Sequence, residues 1–318
     1  MTPTQLRAFA CVVRLGSVKA AAVELAVSEA AVSMHMAQLR RELDDKLFTR
    51  SSSGIDFTPG GMRLASRAVE ILGLQDRTVR EVGQARDGRR LLRLAASAMF
   101  AEHSAPGLIE LFASRADDLD VELSVRPTSQ FAALLADRSI DIAIGPTPGL
   151  LPAALLYKPF LNYDVLAVVR PDHPLARHSV LAAEARLQTW LLGPSAATED
   201  GVVPGMLRQL GVPEQHQRIF QSDAAALEQT KRIDGVALAV RFAVRTDLTA
   251  GRLVAVQGPD LRARGRWIAI ALPEHSQAPA TAELLRFITT PRATQAMVHG
   301  AGVKPGRFKP SVHVTLWS

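Results

Sequence analysis

The chain has 318 residues, 47% of them hydrophobic, enough for two or three buried cores and far from a disordered composition. Its longest apolar runs, such as 165–169 and 236–240, are strand-sized, and no basic stretch leads into an apolar one near the start; a membrane span and a signal peptide are therefore not expected, and a cytoplasmic protein is. The net charge of +6 suits a polyanionic partner, while the single cysteine, Cys11, excludes an internal disulfide and argues against a cysteine-cluster metal site or a two-thiol sensor.

Leu6, Phe9 and Val13 recur at i, i+3 and i+7 and predict a first amphipathic helix that stops at Gly16. Ser17 is placed to cap a second helix, alanine-rich at Ala20, Ala21 and Ala22, which runs to Leu25. After a short turn at Ala26 and Val27, Ser28 caps a third helix reaching about Leu43. Two capped helices joined by a tight turn, with small residues where they cross, meet the requirements of a helix-turn-helix.

On the third helix the spacing of Val32, Met36, Leu39 and Leu43 predicts the buried face. Ala30, Met34, Ala37 and Arg41 lie opposite, flanked by Ser33 and Gln38, and this side is expected to enter a DNA major groove. Ser33 and Gln38 can hydrogen-bond base edges, and Ala30 and Met34 can touch thymine methyls. His35 and Arg41 are expected nearer the rim, facing phosphate. Charge alone does not mark this segment. Residues 1–58 carry seven Arg and Lys against six Asp and Glu, a net of +1. A three-helix module that docks a protein partner also fits the helical pattern.

The stretch FTRSSSGIDFTPGG at 48–61 then reads as a hairpin wing, followed by a helix capped by Thr58 with Pro59 at its first position. Arg50 on this wing is a natural minor-groove or phosphate contact. The run SVKAAAVELAVSEAAVSMHMAQLRRELDDKLFTR, followed by FTPGG, closely resembles the pattern of LysR-type transcriptional regulators. The resemblance implies a recognition helix that begins at Ser28, with Ser33 and its neighbours facing DNA and a wing carrying Arg50. The chain departs from the family's usual residues at Glu29 (Gln), Ala30 (Pro), Met34 (Arg) and Asp44 (Gly).

From Pro59 to about Ala85 only Gly73 interrupts a helical stripe of Leu64, Ala68, Ile71, Leu72, Gln75, Val79 and Val82. Such a stripe needs a partner surface, in the same chain or in a second copy. The resemblance implies dimerisation through this helix, matched to a two-fold operator.

After Arg90, LLRLAAS, VELSVRP and DIAIG alternate with helices at 105–114 and 130–136, a βαβαβ order that implies a parallel sheet. VLAVV opens a second region with further strands at WLLG, GVALAV, RLVAV and RWIAIAL, then a helix near 280–288. SIDIAIG, HPLA at 173–176 and the GVALAV–GRLVAV pair resemble, in order and spacing, the LysR effector domain. The resemblance implies two periplasmic-binding-protein-like lobes joined by crossovers near 160–165 and 262–268.

Open α/β sheets bind ligands beyond the carboxyl ends of their strands. Hydroxyl residues at strand-to-helix junctions, Ser97, Thr128, Ser129, Ser195, Thr198 and Ser222, are the effector candidates, each equally able to serve as an N-cap. The resemblance favours Ser97 and Thr128. A small carboxylate or other anion is the expected effector, with no cofactor and no metal. No HExxH, GxSxG or phosphate-binding loop occurs, so an enzyme is not expected, and His173 reads as a structural turn residue.

The expected organisation is an α-rich winged helix-turn-helix at 1–58, a linker helix at 59–87 and a two-lobed α/β effector domain at 88–300. Lobe I takes about 91–162 and 267–300, lobe II about 163–266, and a basic tail follows at 301–318. The tail reads either as a disordered extension or as an added edge strand. The function implied is a transcription regulator that binds an interrupted palindrome as a homodimer paired into a tetramer, with RNA polymerase as a further partner. The alternative is a small-molecule-binding protein whose helix-turn-helix docks another protein.

Overall fold

A computed structural model describes residues 1–51, 54–149, 152–198 and 200–300, so the expected tail lies outside the described residues. The chain divides into two compact units: Met1–Asp87 with Ala136–Ser139, and the remainder from Gly88 onward.

In the first unit, α1 (Pro3–Leu15) opens with a reciprocal cap between Thr2 and Gln5 and stops at Gly16, whose φ is 63°. α2 (Val18–Glu24) is capped by the Ser17 side chain, and α3 (Glu29–Leu43) by Ser28, which accepts from the Ala31 amide at 3.1 Å. α3 ends at Asp44, where φ is 47°. Aspartate is among the few non-glycine residues that visit this left-handed region, so the departure from glycine leaves the turn intact. The wing is an antiparallel pair, β1 (Phe48–Ser51) and β2 (Gly54–Phe57). The long α4 (Pro59–Asp87) follows.

Leu6, Phe9, Val12, Val32, Met36, Leu39, Leu47, Phe48 and Ala68 form one core. Leu43, expected among them, is instead 40% exposed, because the chain turns away at Asp44 one helical turn beyond Leu39. The wing and α4 meet too closely for side chains. A Cβ at Gly61 would lie 1.8 Å from the Leu47 carbonyl oxygen, and one at Gly60 would lie 2.1 Å from the Asp45 carboxylate. That contact is the physical content of the TPGG motif. Asp45 Oδ1 accepts from the Leu47 amide and the Thr58 hydroxyl, both at 2.6 Å, and Thr58 accepts from the Gly61 amide at 2.9 Å.

The stripe on α4 divides in two. Leu64, Ala68 and Leu72 pack on the core of the head. Beyond them Ile71, Leu74, Val79 and Val82 stand 41%, 50%, 67% and 66% exposed. The head is simply too short to cover the rest of a helix of 29 residues.

The second unit begins with β3 (Arg90–Ala96), α5 (Ala98–His103), α6 (Ala105–Ala113), β4 (Leu119–Val125), α7 (Phe131–Ala136) and β5 (Ile142–Pro146). It continues through β6 (Leu156–Val169), α8 (Ala182–Ala185), β7 (Trp190–Leu192), α9 (Val202–Leu210), β8 (Gln217–Ile219), α10 (Asp223–Thr230) and β9 (Val236–Val240). α11 (Arg245–Thr249), β10 (Val254–Ala255), β11 (Arg262–Ala271), α12 (Pro279–Phe287) and α13 (Pro291–His299) complete it. The strands form one sheet in the order β4-β3-β5-β11-β6-β9-β7-β8, with β10 beside β6.

β3 runs parallel to β4 and β5, and β7 runs parallel to β8 and β9. Between these two groups lies the antiparallel pair β6 and β11, which runs from Leu156–Ala271 to Leu166–Arg262 with a register shift at Trp267. The two parallel groups are thus joined by a continuous ribbon, not by isolated crossover segments. β6 begins nine residues before VLAVV, because its first half is half-exposed and lacks a clean apolar alternation. α5, α9 and α13 also escape the sequence pattern. α9 contains Pro204 and Gly205, and α13 opens on Pro291, residues that read as breaks.

Candidate functional site

The outer side of α3 leaves Ser28, Ala30, Ser33, Met34 and Arg41 exposed. Ser28 is already committed as the cap, and Arg41 Nε turns back to the Ala37 carbonyl at 3.4 Å. Gln38 is half-buried, its Oε1 accepting from Gln5 Nε2 at 2.9 Å, so it braces α3 on α1. His35 is also half-buried, with Nδ1 shut off from solvent and without a partner, which removes that nitrogen from the expected phosphate rim. Arg50 sits in β1 opposite Ile55, and its side chain lies outside what the structure describes.

The sequence pattern missed Arg40. Its guanidinium donates to the Phe48 carbonyl at 3.0 Å and stacks 4.5 Å from the Phe48 ring centroid, fastening α3 to the wing. Ser33, Arg40, Lys46 and Thr49 line a groove of about 480 Å³ between helix and wing, where Lys46 is exposed. Only its position just before the wing marked Lys46 in the sequence.

A cavity of about 200 Å³ lies in the second unit. Ser97 after β3, Arg126 to Thr128 after β4, Pro146 at the end of β5 and Pro194 to Ser195 after β7 all line it, so three strands of one parallel group and one of the other bring their carboxyl ends to one space. Val202, Val203 and Pro204 of α9 close one side, and Tyr163 and Trp267 of the ribbon another. Gly145 sits where a Cβ would lie 2.9 Å from Phe131 and 3.0 Å from Thr128.

Of the predicted effector residues, Ser97, Thr128, Ser195 and Thr198 come together here. Ser129 is exposed outside the cavity. Ser222 is spent as the cap of α10, accepting from the Ala225 amide at 3.1 Å, and does not line the cavity. Thr198 Oγ1 lies 2.8 Å and 2.9 Å from the carbonyl oxygens of Ser195 and Asp200, and so holds its own loop.

Ser97 makes no cap bond, and its buried Oγ has no partner. Trp267 Nε1 is likewise buried without an acceptor. Each such orphan costs roughly 1–3 kcal/mol. Tyr163 and Trp267 stack at 4.2 Å, and burial pushes the Tyr163 phenol pKa well up, so it stays neutral. Neither aromatic was singled out from the sequence, because the crossover strands have no motif of their own.

The cavity lies beside a clamp between the two parallel groups. Glu102 on α5 accepts from the Asp223 and Ala224 amides of α10 at 2.8 and 2.6 Å, and His103 Nε2 lies 3.0 Å from Asp223 Oδ2. Together with Asp223, these are the residues among those described whose ligand atoms cluster as a metal site would require. Both Glu102 oxygens are already engaged by the backbone. His173 accepts from the Leu175 amide at 3.1 Å, the structural turn role expected of it, and burial lowers its pKa. Among the described residues no helix is long and apolar enough to cross a membrane.

Residues 3–62 match the family described as bacterial regulatory helix-turn-helix protein, lysR family, and residues 85–291 match the LysR substrate binding domain. The chain belongs to the LysR family of transcriptional regulators. It is 59% identical to the HTH-type transcriptional regulator Rv0377 of Mycobacterium tuberculosis over the full length of both chains. Among solved structures it is similar to ArgP of Mycobacterium tuberculosis, with a TM-score of 0.58 at 20% identity over 90% of this chain and 97% of that one. A peroxide-bound OxyR mutant of Corynebacterium glutamicum aligns with a TM-score of 0.54 at 22% identity over 94% of each chain. These likenesses concern the fold. The family assignment gives the protein-docking alternative no support, and it describes regulators, not enzymes.

Proposed function

We propose that the protein is a ligand-responsive DNA-binding regulator: Ser33, Met34 and Ala30 on α3 read a major groove, while Arg41 and the wing residue Arg50 contact phosphate or the minor groove. The head carries a net of only +1 over residues 1–58, so one copy binds DNA weakly. Ile71, Leu74, Val79 and Val82 supply what a second copy needs, an uncovered apolar stripe on one side of α4. Pairing through it gives a homodimer that reads an interrupted palindrome, and the dimers pair into tetramers and contact RNA polymerase as the family resemblance implies. The protein works in the cytoplasm.

The effector, a small carboxylate or similar anion, binds in the 200 Å³ cavity at Ser97, Thr128 and Ser195. The observation that carries this reading is the buried, partnerless Ser97 Oγ at the meeting point of four strand ends. Effector binding favours one geometry of the second unit over another and so changes the spacing of the heads, which requires unequal affinity for the two states. Native mass spectrometry of the purified protein tests the site. A small molecule should co-purify with the natural chain and be absent from Gly145→Val, whose added side chain presses on Thr128 and Ser97 of the cavity wall. Equal occupancy of both proteins refutes the site.

A further inference from the structure

We infer that the cavity selects a small aryl carboxylate, with its ring against the Tyr163–Trp267 wall and its carboxylate oxygens taking hydrogen bonds from Ser97 Oγ and Trp267 Nε1. The inference rests on the reading of this cavity as the effector site and adds its chemistry.

Size sets the first limit. An apolar cavity of about 150 Å³ holds benzene. The 200 Å³ here therefore has room for one ring with one small polar group. The lining sets the second. Met99, Val203, Pro146, Tyr163 and Trp267 offer mostly apolar and aromatic surface. Phe100 backs the Trp267 ring edge-on at 5.1 Å, which fixes the indole plane.

The donors set the third limit. An indole N–H only donates, so a ligand group that compensates Trp267 Nε1 must be an acceptor, and an ammonium group cannot serve. Among the described residues Ser97 Oγ is the other side-chain polar atom of this wall that is buried without a partner. Both atoms are out of reach of water, so an entering ligand must part the wall over them. A carboxylate, with two acceptor oxygens, compensates both donors at once. Arg126 and Asp200 also line the cavity, one of each sign, so their formal charges cancel and leave no net charge to repel a single anion.

Calorimetric titration of the full chain with sodium benzoate, sodium acetate and benzylamine separates these demands. Benzoate should bind at least tenfold tighter than acetate, which lacks the ring, and than benzylamine, which lacks the acceptor. Trp267→Phe keeps an aromatic surface and removes the donor, and Ser97→Ala removes the other. Each should weaken benzoate about tenfold, the loss expected for one hydrogen bond to a charged group. Because Trp267 is fully buried, Ser97→Ala is the control should Trp267→Phe fail to fold. Acetate or benzylamine binding as tightly as benzoate, unchanged benzoate affinity in both variants, or no benzoate binding overturns the inference. A ringless molecule that co-purifies with the natural chain and is lost from Gly145→Val overturns the ligand class while leaving the site in place.

Discussion

On the outer side of α3, Ser33, Met34 and Arg41 stand in water, whereas Ser97 Oγ and Trp267 Nε1 at the cavity are buried with no partner at all. The exposed groups cost the folded head almost nothing and can change without harming it. The buried ones are a standing cost that a ligand relieves. One ion pair of the second unit carries the same contrast. Pairs of the head, such as Arg14–Glu24 and Arg7–Asp76, are about half exposed. In the second unit, Arg93 and Asp141 pair at 2.8 Å with side chains only 12% and 7% exposed. A region that meets a polyanion in solvent keeps its charges hydrated, and a region that must close around a small molecule spends its polar groups inside.

The contrast breaks most visibly at Asp141, which takes the Arg93 backbone amide and two guanidinium nitrogens. Asp141→Ala leaves a nearly buried guanidinium without its counter-charge, and should destabilise the second unit by about 3–5 kcal/mol in urea unfolding. An effect below 1 kcal/mol would put this pair in the same class as the exposed pairs of the head.

A smaller loss is expected at the clamp. Glu102→Gln replaces a carboxylate that accepts two amides of α10, and should cost roughly 1–3 kcal/mol. Hydrogen exchange at the Asp223 and Ala224 amides should accelerate in this variant, while amides of the head keep their rates. Unchanged exchange at α10 would show that the clamp holds nothing.

How far each region could be read from sequence follows the same divide. Helix periodicity, the caps Ser17, Ser28 and Thr58, and the wing hairpin are local, so these features of residues 1–62 could be read without tertiary information, whereas the close approach of Gly60 and Gly61 to Asp45 and Leu47 could not. Leu43 and Gln38 were misplaced because the end of a helix and the reach of a side chain to another helix are not local. In the second unit the alternation of strands and helices was legible, as were the hydroxyls at strand ends. The ribbon of β6 and β11 was visible only in part. Tyr163 and Trp267 owe their place in the cavity to pairing between strands about a hundred residues apart, which no spacing within either strand records.

The smallest effect concerns acidity at the junction of wing and α4. The Thr58 hydroxyl and the Leu47 amide hold the Asp45 carboxyl below its ordinary range. Its folded pKa is lowered, so its contribution is complete at neutral pH and fades as pH falls below about 4 toward the folded value. Protection of the Leu47 amide against exchange, corrected for intrinsic rate, should fall over that window in the natural chain. In Asp45→Asn it should be weaker at pH 7 and nearly flat with pH. A pH-dependent loss of equal size in the variant would assign the effect to another group.

The central claim is that a weakly charged head gains its affinity by pairing through α4. Fluorescence anisotropy with the intergenic DNA upstream of the gene, titrated with salt, tests it in the natural chain and in a Val79→Asp, Val82→Asp double variant. The account predicts that the natural protein sediments as a dimer or larger species and binds with a steep salt slope. The variant, whose new charges lie on exposed positions and leave the head folded, should lose most of that affinity along with its self-association. A monomeric variant that binds the DNA as tightly as the natural chain would contradict the account.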